Sequence, residues 1–143
     1  MKVFQIILLL IVCSSCSNEP EFYSSKSFKS LFINGLFLSK LAKNKIPYQL
    51  DSYMGEEYVL VHSNFKKELL KLRKESSKEG RLLISISLEN KCSQRNLAHR
   101  FKVSEIYSES VVKGGIPAVR ITQKDKNSKS VINILNEYEW RCN

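Results

Sequence analysis

The chain has few of the residues that catalytic and cofactor sites require. It contains only two histidines: His62 ends a predicted strand and His99 lies on a predicted short helix. No serine or free cysteine stands in the sequence setting of an activated nucleophile, and the Gly114-Gly115 pair joins two predicted strands, unlike a phosphate-binding loop. The sequence therefore predicts no catalytic residue, metal site or cofactor. The alternative, a cell-wall hydrolase, requires His62 or His99 in a cleft with carboxylates.

The sequence also lacks long apolar segments, and its main apolar run is short. Lys2 precedes a run from residue 3 to residue 12 in which Gln5 is the only polar residue. Such a run is too short to span a bilayer as a helix, and a basic start before it is typical of a secretory signal. Residues 13–16 then read Cys-Ser-Ser-Cys, which places two small residues before Cys16. The sequence thus predicts export.

Residues 1–17 resemble the signal peptide and lipobox of bacterial lipoproteins. The resemblance implies cleavage before Cys16 and a diacylated Cys16 as the mature N-terminus, and two acyl chains give stable anchoring where one is marginal. With Ser17 rather than Asp after the cysteine, it also implies the outer membrane, facing the periplasm. Cys13 departs from the aliphatic residue usual in the family. An ordinary secreted protein cut near Ser15 or Ser17 is the alternative.

Cleavage before Cys16 leaves Cys92 and Cys142 as the only other cysteines. Disulfides persist in oxidising compartments outside the cytoplasm, so an even pair in an exported protein predicts a bridge. A zinc site is not expected, because two cysteines 50 residues apart lack the paired spacing of zinc ligands. The predicted fold also brings both positions to one edge of a sheet.

Hydrophobic periodicity predicts an α+β domain over residues 30–143, after a flexible tether over residues 16–29. The predicted strands are 27–33, 46–52, 57–62, 81–88, 103–112 and 116–123, and the predicted helices are 36–45, 64–79, 93–101 and 128–140. Both halves, 30–80 and 81–143, then have the order strand, helix, strand, strand, helix, which is most of the ferredoxin-like plan. We predict small units of this kind, in a degenerate tandem repeat closed by one disulfide. A single irregular domain is the alternative.

Two details of this fold stay open in the sequence. Residues 27–45 can form a strand and a helix capped by Asn34, a hairpin about Asn34-Gly35, or a single helix. The strand over residues 81–88 can close the first unit while it opens the second. The repeat is faint in residues, with 41–43 matched to 97–99 and 57–61 matched to 117–121.

Acidic residues are few relative to basic ones, 14 against 23, and the net charge is +9. The cations cluster in residues 64–81 and 91–102, and we expect a binding surface at Lys66, Lys67, Lys71, Lys74, Lys78, Arg95 and Arg100. Export disfavours nucleic acid, which leaves an acidic protein, anionic lipid headgroups or the anionic cell-wall polymer, attracted by a salt-sensitive field. A solvated helix face is the alternative interpretation.

These observations predict a membrane-anchored envelope lipoprotein that acts as a non-catalytic binding or assembly factor, with a protein partner in the envelope. A lipidated cysteine followed by small strand-helix-strand-strand-helix modules is similar to the inner-ring lipoproteins of type III secretion systems. That similarity concerns architecture and, in residues, only 31–61. The alternative function is an immunity or exclusion lipoprotein that neutralises a toxin, a phage or a conjugation machine.

Overall fold

Two strand-helix-strand-strand-helix units follow one another along the chain and meet at residues 80–82. The computed structural model describes residues 21–142, so the predicted signal peptide and Cys16 lie outside the described residues. The α+β class, the repeated unit and the single disulfide predicted from the sequence are confirmed.

The first unit is a three-stranded antiparallel sheet with two helices. Its elements are β1 (Phe22–Lys26), α1 (Leu31–Lys43), β2 (Gln49–Tyr53), β3 (Glu56–His62) and α2 (Lys66–Glu79), with a 3-10 turn over Ser63–Phe65 before α2. The strand order is β1-β3-β2, so β3 is central and β1 and β2 are edge strands. Met54 and Gly55 turn the chain between β2 and β3, with φ angles of 52° and 77°.

The second unit repeats this plan with a shift of 60 residues. Its elements are β4 (Leu83–Ser87), α3 (Lys91–Val103), β5 (Glu109–Lys113), β6 (Ile116–Thr122), a short α4 (Gln123–Lys126) and α5 (Lys129–Glu137). The bounds of α3, β5 and β6 are those of α1, β2 and β3 plus 60, and the strand order is β4-β6-β5. This shift confirms the match of 57–61 with 117–121. The match of 41–43 with 97–99 is wrong, because Leu41 corresponds to Phe101.

Each unit buries its own apolar core between its sheet and its helices. The first core consists of Phe37, Leu41, Ile46, Val59, Val61, Leu69 and Leu72. The second consists of Leu88, Leu97, Phe101, Ile106, Val119, Ile121, Val131, Ile134 and Trp140. Equivalent positions fill both cores, as Val59 and Val119 illustrate. Leu69 and Leu72 form the buried face of α2.

The start of the first unit differs from the prediction. The strand expected over residues 27–33 is wrong, because α1 begins at Leu31. Ser30 supplies the N-cap, since its side chain accepts a hydrogen bond from the Ile33 N–H at 3.4 Å. Asn34, the predicted cap, lies inside the helix instead. The flexible tether expected over residues 16–29 is also too long, because Phe22–Lys26 pair with β3 along their whole length.

Other differences concern how elements begin and end. The strand over 81–88 is not shared between the units, because β4 pairs with β6 alone. The helix predicted over 93–101 is longer, since Asn90 rather than Ser93 caps it and it continues to Val103. The strand predicted over 103–112 is therefore confined to β5, after a turn at Glu105 with φ 56°. The helix over 128–140 ends at Glu137, and Tyr138 is exposed in the left-handed conformation.

The two units pack together through Tyr107 of the second unit and α1 of the first. The Tyr107 ring meets the Phe32 ring edge to face, with centroids 5.1 Å apart. Its hydroxyl lies over Gly35, where an added Cβ would come within 1.8 Å of the oxygen. A side chain at position 35 would therefore force the Tyr107 ring to move, and glycine allows this close approach of the second unit. Burial, with a smaller contribution from Glu109, raises the pKa of Tyr107.

Glu79, at the end of α2, joins the two units electrostatically. Its carboxylate lies 2.9 Å from Lys40 Nζ of α1 and 2.8 Å from Lys124 Nζ of α4. Partial burial opposes ionisation of this carboxyl, but hydrogen bonds and Coulombic attraction from Lys124 and Lys40 outweigh it and lower the pKa of Glu79. The ionised carboxylate is thus a stable link between the helices.

The predicted bridge between Cys92 and Cys142 is present. Cys92 lies in the first turn of α3, and the Cys142 N–H donates to Ser93 Oγ at 3.0 Å. By the shift of 60, Ser93 corresponds to Ile33, against which Gly80 packs in the first unit. The disulfide therefore ties the segment around Cys142 to the start of α3. In the first unit, the chain at the equivalent place passes Gly80 and continues into β4.

Candidate binding site

The outer side of α2 carries an exposed stripe of lysines. Four of them, spaced by four, three and four residues, share one side of the helix: Lys67, Lys71, Lys74 and Lys78. Glu75 and Glu79 of the same helix point toward α1, where Lys40 Nζ lies 3.6 Å from the first and 2.9 Å from the second. These two acids are therefore directed at α1. The third acid of the helix, Glu68, is exposed in its first turn, so the four lysines outnumber the acids on the outer side.

A groove of about 450 Å³ runs along α2 on the side of the edge strand β1. We call it the α2 groove, and the residues that line it are Phe28, Leu70, Arg73, Lys74, Ser77, Lys78 and Arg81. Four of these seven are cations, and none carries a carboxylate. Phe28 and Leu70 add apolar surface, and Leu70 is 44% exposed. The groove therefore offers an anionic group both positive charge and apolar contact.

Arg73 is held in place at the boundary between the groove and the sheet. Its guanidinium stacks over the Phe28 ring at 4.2 Å from the centroid and donates a hydrogen bond to the backbone carbonyl of Lys26. Burial lowers the pKa of Arg73, with a smaller opposing effect from Tyr23, but an arginine stays cationic at neutral pH. A cation already fixed in one position loses little conformational entropy when an anion binds.

Lys66 lies at the other end of the helix, beside the start of β1. Its ammonium group is 5.0 Å from the centroid of the Tyr23 ring. Since Arg73 contacts Lys26 seven residues further along α2, the helix runs beside β1 in the same direction. The side of α2 that carries Lys66 and Arg73 thus runs beside β1.

The two arginines predicted from α3 do not line the α2 groove. Arg100 forms an ion pair with Glu137 of α5 and lies 3.4 Å from Glu139. Arg95 is exposed on α3, in the second unit. The predicted set of seven cations is therefore divided between two units. Only Lys74 and Lys78 of this set line the α2 groove, and the other predicted lysines of α2 lie outside its lining: Lys66, Lys67 and Lys71.

The sequence prediction of the binding surface did not include Phe28, Leu70, Arg73, Ser77 or Arg81. Arg73 and Arg81 belong to the same cluster of charge, and their spacing from Leu70 and Ser77 was visible on a helical projection of α2. Phe28 left no such signal, because its role depends on β1 lying beside α2.

The histidines occupy two different surroundings. His62 is exposed, and its Nδ1 accepts a hydrogen bond from the Asn64 N–H at 3.3 Å. His99 borders a cavity of about 430 Å³ together with Glu105 and Tyr107. Within residues 21–142 no hydrogen bond joins His99 to Glu105, whose carboxylate lies 3.4 Å from the Lys43 ammonium instead. The same residues contain no cluster of three or more His, Cys, Asp and Glu placed to hold a metal ion.

Comparison of the chain with protein-family models, with curated proteins and with solved structures gives no match. Among the helices of residues 21–142, none has the length and apolar character needed to cross a membrane.

Proposed function

We propose that the protein is a membrane-anchored envelope lipoprotein that acts as a non-catalytic binding or assembly factor, and that its protein partner binds at the α2 groove. The observation that carries the proposal is the composition of this groove, with four cations, two apolar side chains and no carboxylate. A concave surface lined by one sign of charge attracts and orients an anionic partner, and it focuses the field more strongly than a flat helix face does.

The groove also has the features of an energetically important contact. Arg73 is fixed by its stacking on Phe28 and its bond to the Lys26 carbonyl. Buried or half-buried arginine and aromatic side chains are enriched among the residues that dominate binding energy. Lys74, Lys78 and Arg81 line the same groove and are exposed, so we expect binding to weaken as salt screens their charges.

Two observations support a place in the envelope. The Cys92–Cys142 bridge is of the kind that forms and persists in oxidising compartments, which supports an extracytoplasmic place. Only residues 17–21 separate Cys16 from β1, and a fully extended segment of that length reaches at most about 18 Å. A lipid on Cys16 would hold β1, and with it the α2 groove, close to the membrane surface.

The proposal is tested by site-specific crosslinking in the bacterium that makes the protein. A photoreactive amino acid replaces Ser77, which lines the groove without contributing charge. We expect one discrete adduct in the membrane fraction. A variant with Lys74→Gln, Lys78→Gln and Arg81→Gln should lose it, because the groove then keeps Arg73 as its only cation.

A matched control removes the same charge elsewhere. The control variant replaces three exposed lysines of the second unit: Lys91→Gln, Lys113→Gln and Lys126→Gln. This control should keep the adduct. Equal loss in both triple variants would mean that net charge rather than the groove matters. Absence of any adduct from Ser77, with adducts formed from an exposed position of the second unit, would overturn the proposal.

A further inference from the structure

The outer edge of β1 presents unpaired backbone groups directly beside the α2 groove. In the β1–β3 ladder, the Ser63 N–H donates to the Glu21 carbonyl and the Ser27 N–H donates to the Glu57 carbonyl. In an antiparallel pair, residues alternate between bonding to the partner strand and pointing away from it. Residues 21, 23, 25 and 27 therefore bond to β3, and Phe22, Ser24 and Lys26 direct their N–H and C=O groups outward.

Only part of this edge is closed within residues 21–142. The Lys26 carbonyl accepts the hydrogen bond from Arg73, whereas the outward groups of Phe22 and Ser24 have no hydrogen-bond partner among the described residues. Both residues are exposed. An exposed edge strand is a template for pairing with another chain. The open stretch of β1 leads, past Lys26, to Phe28 and the groove.

We propose that this edge and the α2 groove form one site, which binds an acidic segment of the partner protein as an added fourth strand. The inference rests on the proposed function and specifies the conformation of the bound segment. Backbone groups of Phe22 and Ser24 pair with the segment, and its alternate side chains point toward α2. Carboxylates at those alternate positions meet Arg73, Lys74 and Lys78.

An acidic extended peptide fits these observations better than a membrane surface does. Lipid headgroups can neutralise the cations, but they supply no row of alternating donors and acceptors for the edge of a sheet. An acidic strand supplies both the negative charge and the row of backbone donors and acceptors. Arg73 links the two parts of the site, because it binds the β1 backbone with one side and borders the groove with the other.

The test uses the full chain in nanodiscs of neutral phosphatidylcholine and a fluorescein-labelled decapeptide of alternating Glu and Val. In a strand, all the Glu side chains of this peptide face the same way. Fluorescence anisotropy should show saturable binding that weakens with salt. The same peptide N-methylated at every residue keeps its charge but donates no backbone hydrogen bond, and we expect at least a roughly 10-fold weaker affinity.

A protein variant tests the edge from the other side. Ser24→Pro removes one outward N–H and leaves the bonds to β3 intact, and proline is tolerated on an edge strand in this orientation. We expect roughly 3- to 10-fold weaker peptide binding, as for one lost hydrogen bond. Should Ser24→Pro lower the melting temperature, the N-methylated peptide on the unaltered protein decides the question alone.

The outcomes separate this inference from the proposed function. In one outcome, the triple variant at Lys74, Lys78 and Arg81 loses binding while the N-methylated peptide binds the unaltered protein as tightly as the parent peptide does. That result would overturn the added strand and leave the basic groove standing. Equal binding by the triple variant would overturn both. If adding anionic phosphatidylglycerol to the nanodisc abolishes peptide binding, the site belongs to the membrane surface and the inference fails.

Discussion

The Cys92–Cys142 disulfide should supply a large share of the stability of the fold. The perturbation is the double variant Cys92→Ser, Cys142→Ser, in which the loop is no longer closed. The bridge spans a sequence separation of 50 residues. In the chain-entropy treatment, closing a loop of that length removes enough freedom from the unfolded chain to stabilise the native state by about 4 kcal/mol. Native domains have only about 5–15 kcal/mol in total, so the loss should be conspicuous.

Urea unfolding measures this loss, with the emission of Trp140 as the signal. Trp140 is the only tryptophan, is 7% exposed and donates from Nε1 to the Ile134 carbonyl at 3.0 Å. It therefore reports directly on the segment that the bridge holds. Circular dichroism of the same samples follows the helices of both units. We expect one common transition, at lower urea in the double variant.

Ser93→Ala is the matched control, because it removes only the hydrogen bond from the Cys142 N–H and leaves the bridge. Its expected effect is about 1 kcal/mol. A double variant that loses less than about 1 kcal/mol would refute the loop-closure reasoning. An early Trp140 transition, separate from that of the helices, would mean that the bridge holds only the chain end, and would refute it as well.

Two further predictions concern the packing between the units. Gly35→Ala places a methyl group against the Tyr107 hydroxyl, so thermal unfolding should show a loss of about 1–3 kcal/mol. Part of it should return in the double variant with Tyr107→Ala, and no recovery would contradict the contact. Because Lys40 and Lys124 lower the pKa of Glu79, its stabilisation is present above the ordinary carboxyl pKa and is lost on acidification through the lowered pKa. The difference between wild type and Glu79→Gln in urea titrations should therefore shrink at acidic pH, and a constant difference would contradict the ionised link.

The elements that sequence periodicity predicts well are those with a clean local pattern. β3 alternates around Val59 and Val61, and α2 has Leu69 and Leu72 at helical spacing and ends before Gly80. The patterns that specify β3 and α2 lie within these elements, so the sequence alone predicts them. The disulfide was also predictable, because the predicted export and cleavage before Cys16 leave a single pair of cysteines to bridge.

The elements that the sequence misplaces depend on tertiary contacts. β1 contains two serines and a lysine, which look like a linker until β3 pairs with them. The apolar residues after it resemble a strand, but Ser30 caps a helix there. Asn34 and Ser30 both are good caps by residue type, and only the helix that forms decides between them.

The candidate site was predictable only as a cluster of charge. Lysine spacing locates the basic side of α2, but the groove exists because Phe28 lies under Arg73 across a separation of 45 residues. The open edge of β1 follows from the hydrogen-bond register with β3, which no composition reveals. The charge of the candidate site is therefore predictable from the sequence, and the shape of the groove is not.

The lipid anchor on Cys16 is the claim on which the envelope location depends. The measurement is the intact mass and the membrane fractionation of the full chain expressed in a bacterium, wild type beside Cys16→Ala. We expect the wild-type protein to carry the mass increment of a diacyl or triacyl group and to be retained in the membrane, and we expect the variant to show neither. An unmodified, soluble wild-type protein cleaved near Ser17 would contradict it.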